Sequence, residues 1–225
     1  MTSAPDDDAS AAARRTARQG NPERVVTFTD GVFAIVITIL VLDIRIPEDL
    51  AGSSLRQALD DTGPTFAAWV ISFFITGMYW VWHRDLFNRI EFVNRDVVWL
   101  NLLFMMPAAL IPFAASVLGE YHDEPIALHL YGAVLIVTSL LRWLLYGYIM
   151  RHPSLLWEPP GTRTRRIGGL LAGAPIVIYV IAMLVAAAAP LLSLLLYLGV
   201  PLLYFLLIAV LRQSPRTRDE AANYG

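Results

Sequence analysis

Residues 24–42 read Arg24-Val-Val-Thr-Phe-Thr-Asp-Gly31 and then Val32-Phe-Ala-Ile-Val-Ile-Thr-Ile-Leu-Val-Leu42. The first part carries two opposite charges and a glycine, and the second part is apolar except for Thr38. Charged groups are costly at membrane depth and are usually retained there for a function. The stretch therefore predicts a membrane-spanning helix, span 1, whose polar beginning has a specific task.

The composition of the whole chain agrees with a membrane protein. The 225 residues are 56% hydrophobic and only 16% charged, against about 25% charged residues in soluble domains. Cysteine is absent, which excludes disulfides, thiol catalysis and cysteine-ligated metals. Basic residues do not cluster with aromatic ones, so we expect no nucleic-acid partner. We expect no cofactor.

A bilayer-spanning helix needs about 20 mostly apolar residues, and six segments meet this condition. The chain is therefore predicted to be an all-α, polytopic membrane protein. Pro190 separates the last two segments, because proline breaks a helix. The predicted spans are 25–46, 64–87, 95–118, 125–150, 167–188 and 190–211. The corresponding domains are a disordered cytoplasmic tail (1–22), a six-helix transmembrane domain (23–212) and a second cytoplasmic tail (213–225).

Charges in the loops predict the orientation of the spans. Arginine-rich loops remain in the cytoplasm, which places both termini there. The arginines of this side are Arg14, Arg15, Arg18, Arg24, Arg84, Arg89, Arg95, Arg151, Arg163, Arg165, Arg166, Arg212, Arg216 and Arg218. The opposite loops carry Glu48, Asp49, Asp60, Asp61, Glu120, Asp123 and Glu124, with only Arg45 and Arg56. A short interfacial helix is expected in the first outer loop, from Leu50, Leu55 and Leu59.

Asp30 has two interpretations. Thr27 and Asp30 fit the spacing of a capping box at a helix start. A helix from Gly31 to Ile46, however, would be about 24 Å long, shorter than the hydrocarbon core of about 30 Å. A start near Arg24 gives sufficient length and places Asp30 inside the helix. Its partners should then come from other spans, and the polar residues at similar depth are His83, Arg84, Asn94, Asp96 and Asn101.

Ile35, Ile39 and Leu42 lie on one face of span 1 at helical spacing, with Thr38 beside them. Such a stripe ordinarily faces lipid or packs in a core. Span 1 is apolar on all sides, so periodicity alone does not select a functional face. Gly31 is interpreted as a site of close helix packing.

The motif Arg24-x-x-x-Phe28-Thr29-Asp30-Gly31 resembles the RxxxFSDG signature of the endosomal and lysosomal potassium channel family, with threonine in place of serine. The apolar run to Ile44 is similar to the bacterial pattern. Further similarity lies in Tyr79-Trp80-x-x-His83 and in Asn101-Leu-Leu-Phe104 leading to Pro112-Phe113. The chain is therefore identified as a bacterial member of this family, with motif-level similarity in the first three spans.

The resemblance implies a homotetramer in a bacterial plasma membrane, with span 1 of each subunit lining a central pore for monovalent cations. The family has no TVGYG filter, and none occurs here. By position after Asp30, bulky Ile35, Ile39 and Leu42 form the constriction, and Thr38 matches the polar position associated with potassium preference. A structural polar network is expected to hold span 1 in place, and its members are Arg24, Phe28, Thr29, Asp30, His83 and Asn101. The permeant ion is K⁺, and no other metal is expected.

Two further charged residues have open roles. Asp43, at the outer end of span 1, either forms a cation-attracting ring at the pore mouth or pairs with Arg45. Arg142 lies inside span 4, where a charge is costly. We expect it to reach the inner interface with its long side chain or to join a contact between subunits.

Two other functions compete with a channel. A proton-coupled secondary transporter would use Asp30, His83 and Asp96 as a relay. A membrane enzyme would need a catalytic group, but His83, His122 and His152 are spread over both sides of the membrane, so no enzymatic activity is expected.

Overall fold

A computed structural model describes residues 20–45 and 55–213, and helices dominate both ranges. Two short 3₁₀ helices, Leu40–Asp43 and Pro153–Leu155, accompany the α-helices. The α-helices are α1 Pro22–Ile39, α2 Leu55–Asp61, α3 Gly63–Phe87, α4 Arg95–Ala108, α5 Ile111–Glu120, α6 Pro125–Arg151, α7 Thr162–Val185 and α8 Pro190–Gln213.

The prediction of six spans is confirmed. Within the described residues, six helical segments are long and apolar enough to cross a membrane: α1 with its 3₁₀ extension, α3, the pair α4–α5, α6, α7 and α8. Their ends differ from the predicted ends by five residues at most. The remaining calls on the tails and the first outer loop lie outside the described residues; they concern Arg14, Arg15, Arg18, Glu48, Asp49, Leu50, Arg216 and Arg218.

The start of α1 is set by Asn21 and Pro22. The Asn21 side chain accepts a hydrogen bond from the Glu23 backbone N–H at 2.8 Å, and proline at the first helical position has no N–H to satisfy. Thr27 does not cap the helix, because its hydroxyl donates to the Glu23 carbonyl one turn earlier. Asp30 therefore lies inside the helix, about two turns from its start, as the length argument predicted.

The α1 segment is long enough to cross the hydrocarbon. Eighteen α-helical residues followed by four 3₁₀ residues span about 35 Å, compared with a hydrocarbon core of about 30 Å. The helix packs against α3, α4 and α5.

Span 3 is broken into two helices, and its prediction as one continuous helix was wrong in this respect. α4 ends at Ala108 and α5 begins at Ile111. Pro112 accounts for the break, since its ring clashes with the carbonyl four residues earlier, at Ala108, and it donates no backbone hydrogen bond. The two halves have different main neighbours: α4 packs against α6, and α5 packs against α3.

The ends of α1, α3, α4 and α6 meet at the arginine-rich side of the bundle. Gly20 and Val93 exchange two backbone hydrogen bonds, of 2.8 and 3.1 Å. A second bridge joins Ile90 to Leu156. The segment before α1, the α3–α4 loop and the α6–α7 loop are therefore connected to one another. At the opposite side, the predicted short helix in the first outer loop is present as α2.

Arg142 lies inside the protomer, so both expectations for it were wrong. Its side chain is 1% exposed, and one guanidinium nitrogen donates to the backbone carbonyl of Ala172 on α7. The guanidinium also lies over the ring of Trp82, 4.7 Å from its centroid. Gly168 allows the close approach of α6 and α7, because a Cβ there would overlap the Tyr146 hydroxyl.

Candidate functional site

α1 has a buried face that is anchored by packing and by hydrogen bonds. Phe33, Val36 and Leu40 are each less than 5% exposed, and the Phe33 ring lies 6.0 Å from that of Phe104 on α4. Thr29, one turn before Phe33, is fully buried. These positions recur every three or four residues, which places them on one side of the helix.

A chain of side-chain hydrogen bonds joins α1, α4 and α3 at Thr29. Asn101 Nδ2 donates to Thr29 Oγ1 at 2.8 Å, and His83 Nε2 lies 2.9 Å from Asn101 Oδ1. Because the amide oxygen can only accept, His83 donates through Nε2. All three side chains are buried, where a polar group without a partner would be destabilising.

Asp30 is held separately. The indole N–H of Trp80, on α3, donates to Asp30 Oδ1 at 2.8 Å. The Arg84 guanidinium lies over the Trp80 ring, 5.5 Å from its centroid. Adjacent residues of α1, Thr29 and Asp30, are thus bonded to two different helices.

Arg24 and Phe28 lie outside this network in the protomer, contrary to the sequence-based expectation. Phe28 is 56% exposed, and Arg24 is exposed as well. Positions 24, 28, 35 and 42 are separated by four and seven residues, so all four share one helix face. Arg24 and Phe28 therefore continue the stripe that contains Ile35 and Leu42.

The open face of α1 presents the residues expected at the constriction. Ile35 and Leu42 are each 59% exposed and Ile39 is 43% exposed. Thr38 is exposed among them, and its hydroxyl donates within the helix, where the Ala34 carbonyl is at 2.9 Å and the Ile35 carbonyl at 3.0 Å. The Thr38 hydroxyl proton is therefore used within the helix, and its oxygen can still accept a hydrogen bond.

Comparisons with known proteins identify the family of this chain. A model of the family described as the endosomal/lysosomal potassium channel TMEM175 matches residues 24–112. A curated potassium channel of Streptomyces collinus is 36% identical over 151 residues, which are 64% of this chain and 73% of the relative. The chain belongs to the TMEM175 family.

Other members of the TMEM175 family differ in length and in the function that their names state. The endosomal/lysosomal proton channel TMEM175 of Gallus gallus is 29% identical over 149 residues, but these make up only 30% of its length. Among solved structures, a lysosomal potassium-selective channel TMEM175 homolog from Chamaesiphon minutus superimposes with a TM-score of 0.65. It is 24% identical, and the match covers 82% of this chain and 96% of that one. This likeness shows a shared fold.

At the C-terminal end of the first span, Asp43 does not pair with Arg45 in this TMEM175 protein. The Arg45 Nε–H donates to the Leu42 carbonyl at 3.0 Å instead. Within residues 20–45 and 55–213, the ion pairs are Arg84 with Asp85 and His122 with Asp123. Asp43 therefore has no cationic partner among these residues.

The residues of the postulated proton relay are not connected to one another. Asp96 accepts a hydrogen bond from the Tyr148 hydroxyl at 2.7 Å, and Asn94 donates to the same hydroxyl at 2.9 Å. Asp30 bonds to Trp80 and His83 to Asn101. The buried His83 Nδ1 has no hydrogen-bond partner. Asp30, His83 and Asp96 thus belong to three separate groups of hydrogen bonds.

Trp80 is the contact residue that sequence reasoning did not place in the network. It stands three residues before His83, so the two side chains share a face of α3. An indole has one donor and no acceptor, which makes it a suitable partner for a carboxylate such as Asp30. This spacing was visible in the motif Tyr79-Trp80-x-x-His83.

Proposed function

We propose that the protein is a potassium-permeable, passive cation channel that assembles as a homotetramer around an axis lined by α1. The observation that carries the proposal is the open face of α1. It presents Ile35, Ile39 and Leu42 with the hydroxyl of exposed Thr38 among them, while the opposite face is fixed to α3 and α4.

An open apolar face is also compatible with lipid, because the Thr38 hydroxyl is satisfied by its own helix. The comparisons favour a pore. The relatives from Streptomyces collinus and Chamaesiphon minutus are both named potassium channels. In a channel, the open face of each copy turns toward the axis and is covered by the others.

Ion passage then depends on two properties of this face. Bulky aliphatic side chains narrow the path, and a hydrophobic constriction can close by dewetting. The hydroxyl oxygen of Thr38 offers one neutral acceptor per subunit to a cation that has lost part of its hydration shell. Potassium loses that shell more readily than sodium, so a modest preference for potassium follows.

The remaining parts of the proposal concern the membrane. The arginine-rich side, with both termini, lies in the cytoplasm, and the membrane is the bacterial plasma membrane. Asp43, which has no cationic partner among the described residues, attracts cations at the outer mouth together with the acidic outer loops.

Planar-bilayer recording of the purified full-length protein tests this function. Under opposed potassium and sodium gradients, the reversal potential of the current should lie closer to the potassium than to the sodium equilibrium potential. The combined change Ile35→Asn, Thr38→Ala and Leu42→Ala should alter conductance and abolish the preference. A matched set on α7, Leu170→Ala, Val177→Ala and Leu184→Ala, changes exposed aliphatic residues away from α1 and should leave both unchanged. Equal currents from the α1 triple variant and the parent protein would show that these residues do not line the pore.

Mass measurement in detergent tests the assembly, since four copies of 25.0 kDa are expected. The recordings should also include a proton gradient, because vertebrate relatives are named proton channels. The transporter alternative predicts saturable, proton-coupled uptake without single-channel events, and resolved single-channel currents would exclude it as the main activity.

A further inference from the structure

A second site lies inside each protomer, on the other side of α3 from α1. A cavity of about 600 Å³ opens between α3, α6, α7 and α8, within the range of about 300–1,000 Å³ that small-molecule sites occupy. Its wall is mostly aliphatic and aromatic, with Met78, Ile178 and Leu203 among the lining residues. Asp85 and Arg89, near the arginine-rich end of α3, also line it.

Of the two cations in the cavity wall, Arg89 is exposed and Arg142 is buried. Arg142 is 1% exposed, and its Nε–H is buried without a hydrogen-bond partner. No carboxylate of the described residues lies within 4 Å of it, since the ion pairs there involve Arg84 and His122. The contacts that it does make are the Ala172 carbonyl and the rings of Trp82 and Tyr79, at 4.7 and 5.8 Å.

These contacts leave the charge incompletely compensated. The cation–π contacts with Tyr79 and Trp82 offset only part of the cost of removing an ion from water. Guanidinium has five N–H donors, of which the carbonyl of Ala172 uses one. Arginine pairs best with planar or tetrahedral acid groups, such as carboxylate and phosphate. Arg142 thus lacks an anionic partner, because Asp85 in the same wall pairs with Arg84.

The shape of the site indicates that this anion carries an apolar chain. Arg142 lies nine residues before the end of α6, about 13 Å along the helix, and an aliphatic wall surrounds it. A free inorganic anion would gain nothing from that wall. A lipid chain would remove this apolar surface from water.

We propose that the cavity binds an acidic lipid, whose acid group pairs with Arg142 and whose chain lies against Met78, Ile178 and Leu203. The shared chemistry is an acid group joined to an apolar acyl chain. A fatty acid and an acidic phospholipid are its two sources, and the experiment separates them.

The test uses the full-length protein in a neutral detergent, with binding followed by native mass spectrometry and by the shift in thermal midpoint. The probes are oleate, oleoyl-lysophosphatidylglycerol, its zwitterionic phosphatidylcholine counterpart and inorganic phosphate. One or both acidic lipids should bind and raise the midpoint. Binding of oleate alone identifies a carboxylate ligand, and binding of the phosphatidylglycerol alone identifies a phosphate ligand.

Three variants locate the site. Arg142→Gln should weaken binding about tenfold to a hundredfold, the loss expected for one charge-assisted hydrogen bond, and Arg142→Lys should retain much of it. Arg151→Gln removes an exposed cation from the same helix outside the cavity and should bind like the parent. Ala174→Phe narrows the cavity without touching the charge, and should also weaken binding; it decides the matter if Arg142→Gln does not fold.

Several outcomes would overturn the proposal. These are equal binding of the zwitterionic lipid, equal stabilisation by inorganic phosphate, unchanged binding in Arg142→Gln and Ala174→Phe, or no binding of either acidic lipid. None of these outcomes bears on ion conduction through the α1 axis, so the two proposals fail separately.

Discussion

The two faces of α1 are built from similar residues and have opposite surroundings. Within residues 29–42, each face has one threonine among apolar side chains: Thr29 with Val36 on the buried face, and Thr38 with Ile35 on the open face. The Thr29 hydroxyl accepts a hydrogen bond from another helix, whereas the Thr38 hydroxyl bonds only to its own. Hydrogen-bond partners on neighbouring helices, and not hydropathy, therefore determine which face of α1 is buried in the protomer.

The largest expected difference in stability between the two faces comes from asparagine substitutions at the neighbouring positions 35 and 36. Val36→Asn places an amide on the buried face without a designed partner, and should destabilise the protein by about 2–3 kcal/mol. Ile35→Asn places the same group on the open face and should leave stability within about 0.5 kcal/mol while raising conductance. Thermal unfolding in detergent and bilayer recording measure the two effects. Equal destabilisation by both would show that the two faces are not distinct.

The bond between Trp80 and Asp30 should have the next largest effect. Trp80→Phe keeps most of the packing but removes the N–H donor to a carboxylate, which should destabilise the fold by about 1.5 kcal/mol. Asp30→Asn retains an acceptor oxygen and should lose less. Denaturant unfolding of both single variants and the double variant gives the coupling energy; additive losses would rule out a direct contribution of this bond.

A smaller difference is expected between the two threonines. Thr29→Val leaves the Asn101 amide without its acceptor and should destabilise by about 1 kcal/mol, within the range measured for hydrogen bonds between membrane helices. Thr38→Val should have almost no effect on stability, but should reduce the preference for potassium. Unfolding and reversal-potential measurements separate the two outcomes, and a stability loss at Thr38 larger than at Thr29 would contradict the assignment of the faces.

The smallest effect is expected beyond the end of both faces, at Asp43. Asp43→Asn removes one negative charge per subunit from the outer mouth and should lower inward current less than about twofold at low ionic strength. The difference should disappear near 1 M salt, where the screening length is about 3 Å. Current–voltage curves at two salt concentrations measure it, and a salt-independent loss would mean that Asp43 acts by structure and not by its field.

Much of the fold was predictable because hydrophobic length is a local property. The bounds of α3 and α6 agree with the predicted spans to one residue, and the same length argument placed Asp30 inside α1. The break in span 3 was also predictable from Pro112, which interrupts a helix. The prediction of span 3 used only the length of the apolar segment, and this length does not indicate a break. Family membership rested on the motif that begins at Arg24.

The candidate site was predictable only in part. Arg24 and Phe28 lie on the same helix face as Ile35, because positions 28 and 35 are seven residues apart. This spacing is visible in the sequence and could have predicted that both residues lie on the open face. The pairing of Thr29 with Asn101 joins residues 72 positions apart, so it depends on how α4 packs beside α1. The position of Arg142 depends likewise on rings supplied by α3, and no local pattern in α6 indicates them.

The bonds at Thr29 and Asp30 have a mechanical consequence. Neighbouring residues on a helix point about 100° apart, and these two are bonded to different helices, α4 and α3. Two attachments at different angles oppose rotation of α1 about its own axis in either direction. Rotating α1 by about 100° would move Val36 to the direction in which Ile35 now points. The two attachments resist this rotation and therefore fix the direction in which the side chains of the open face point.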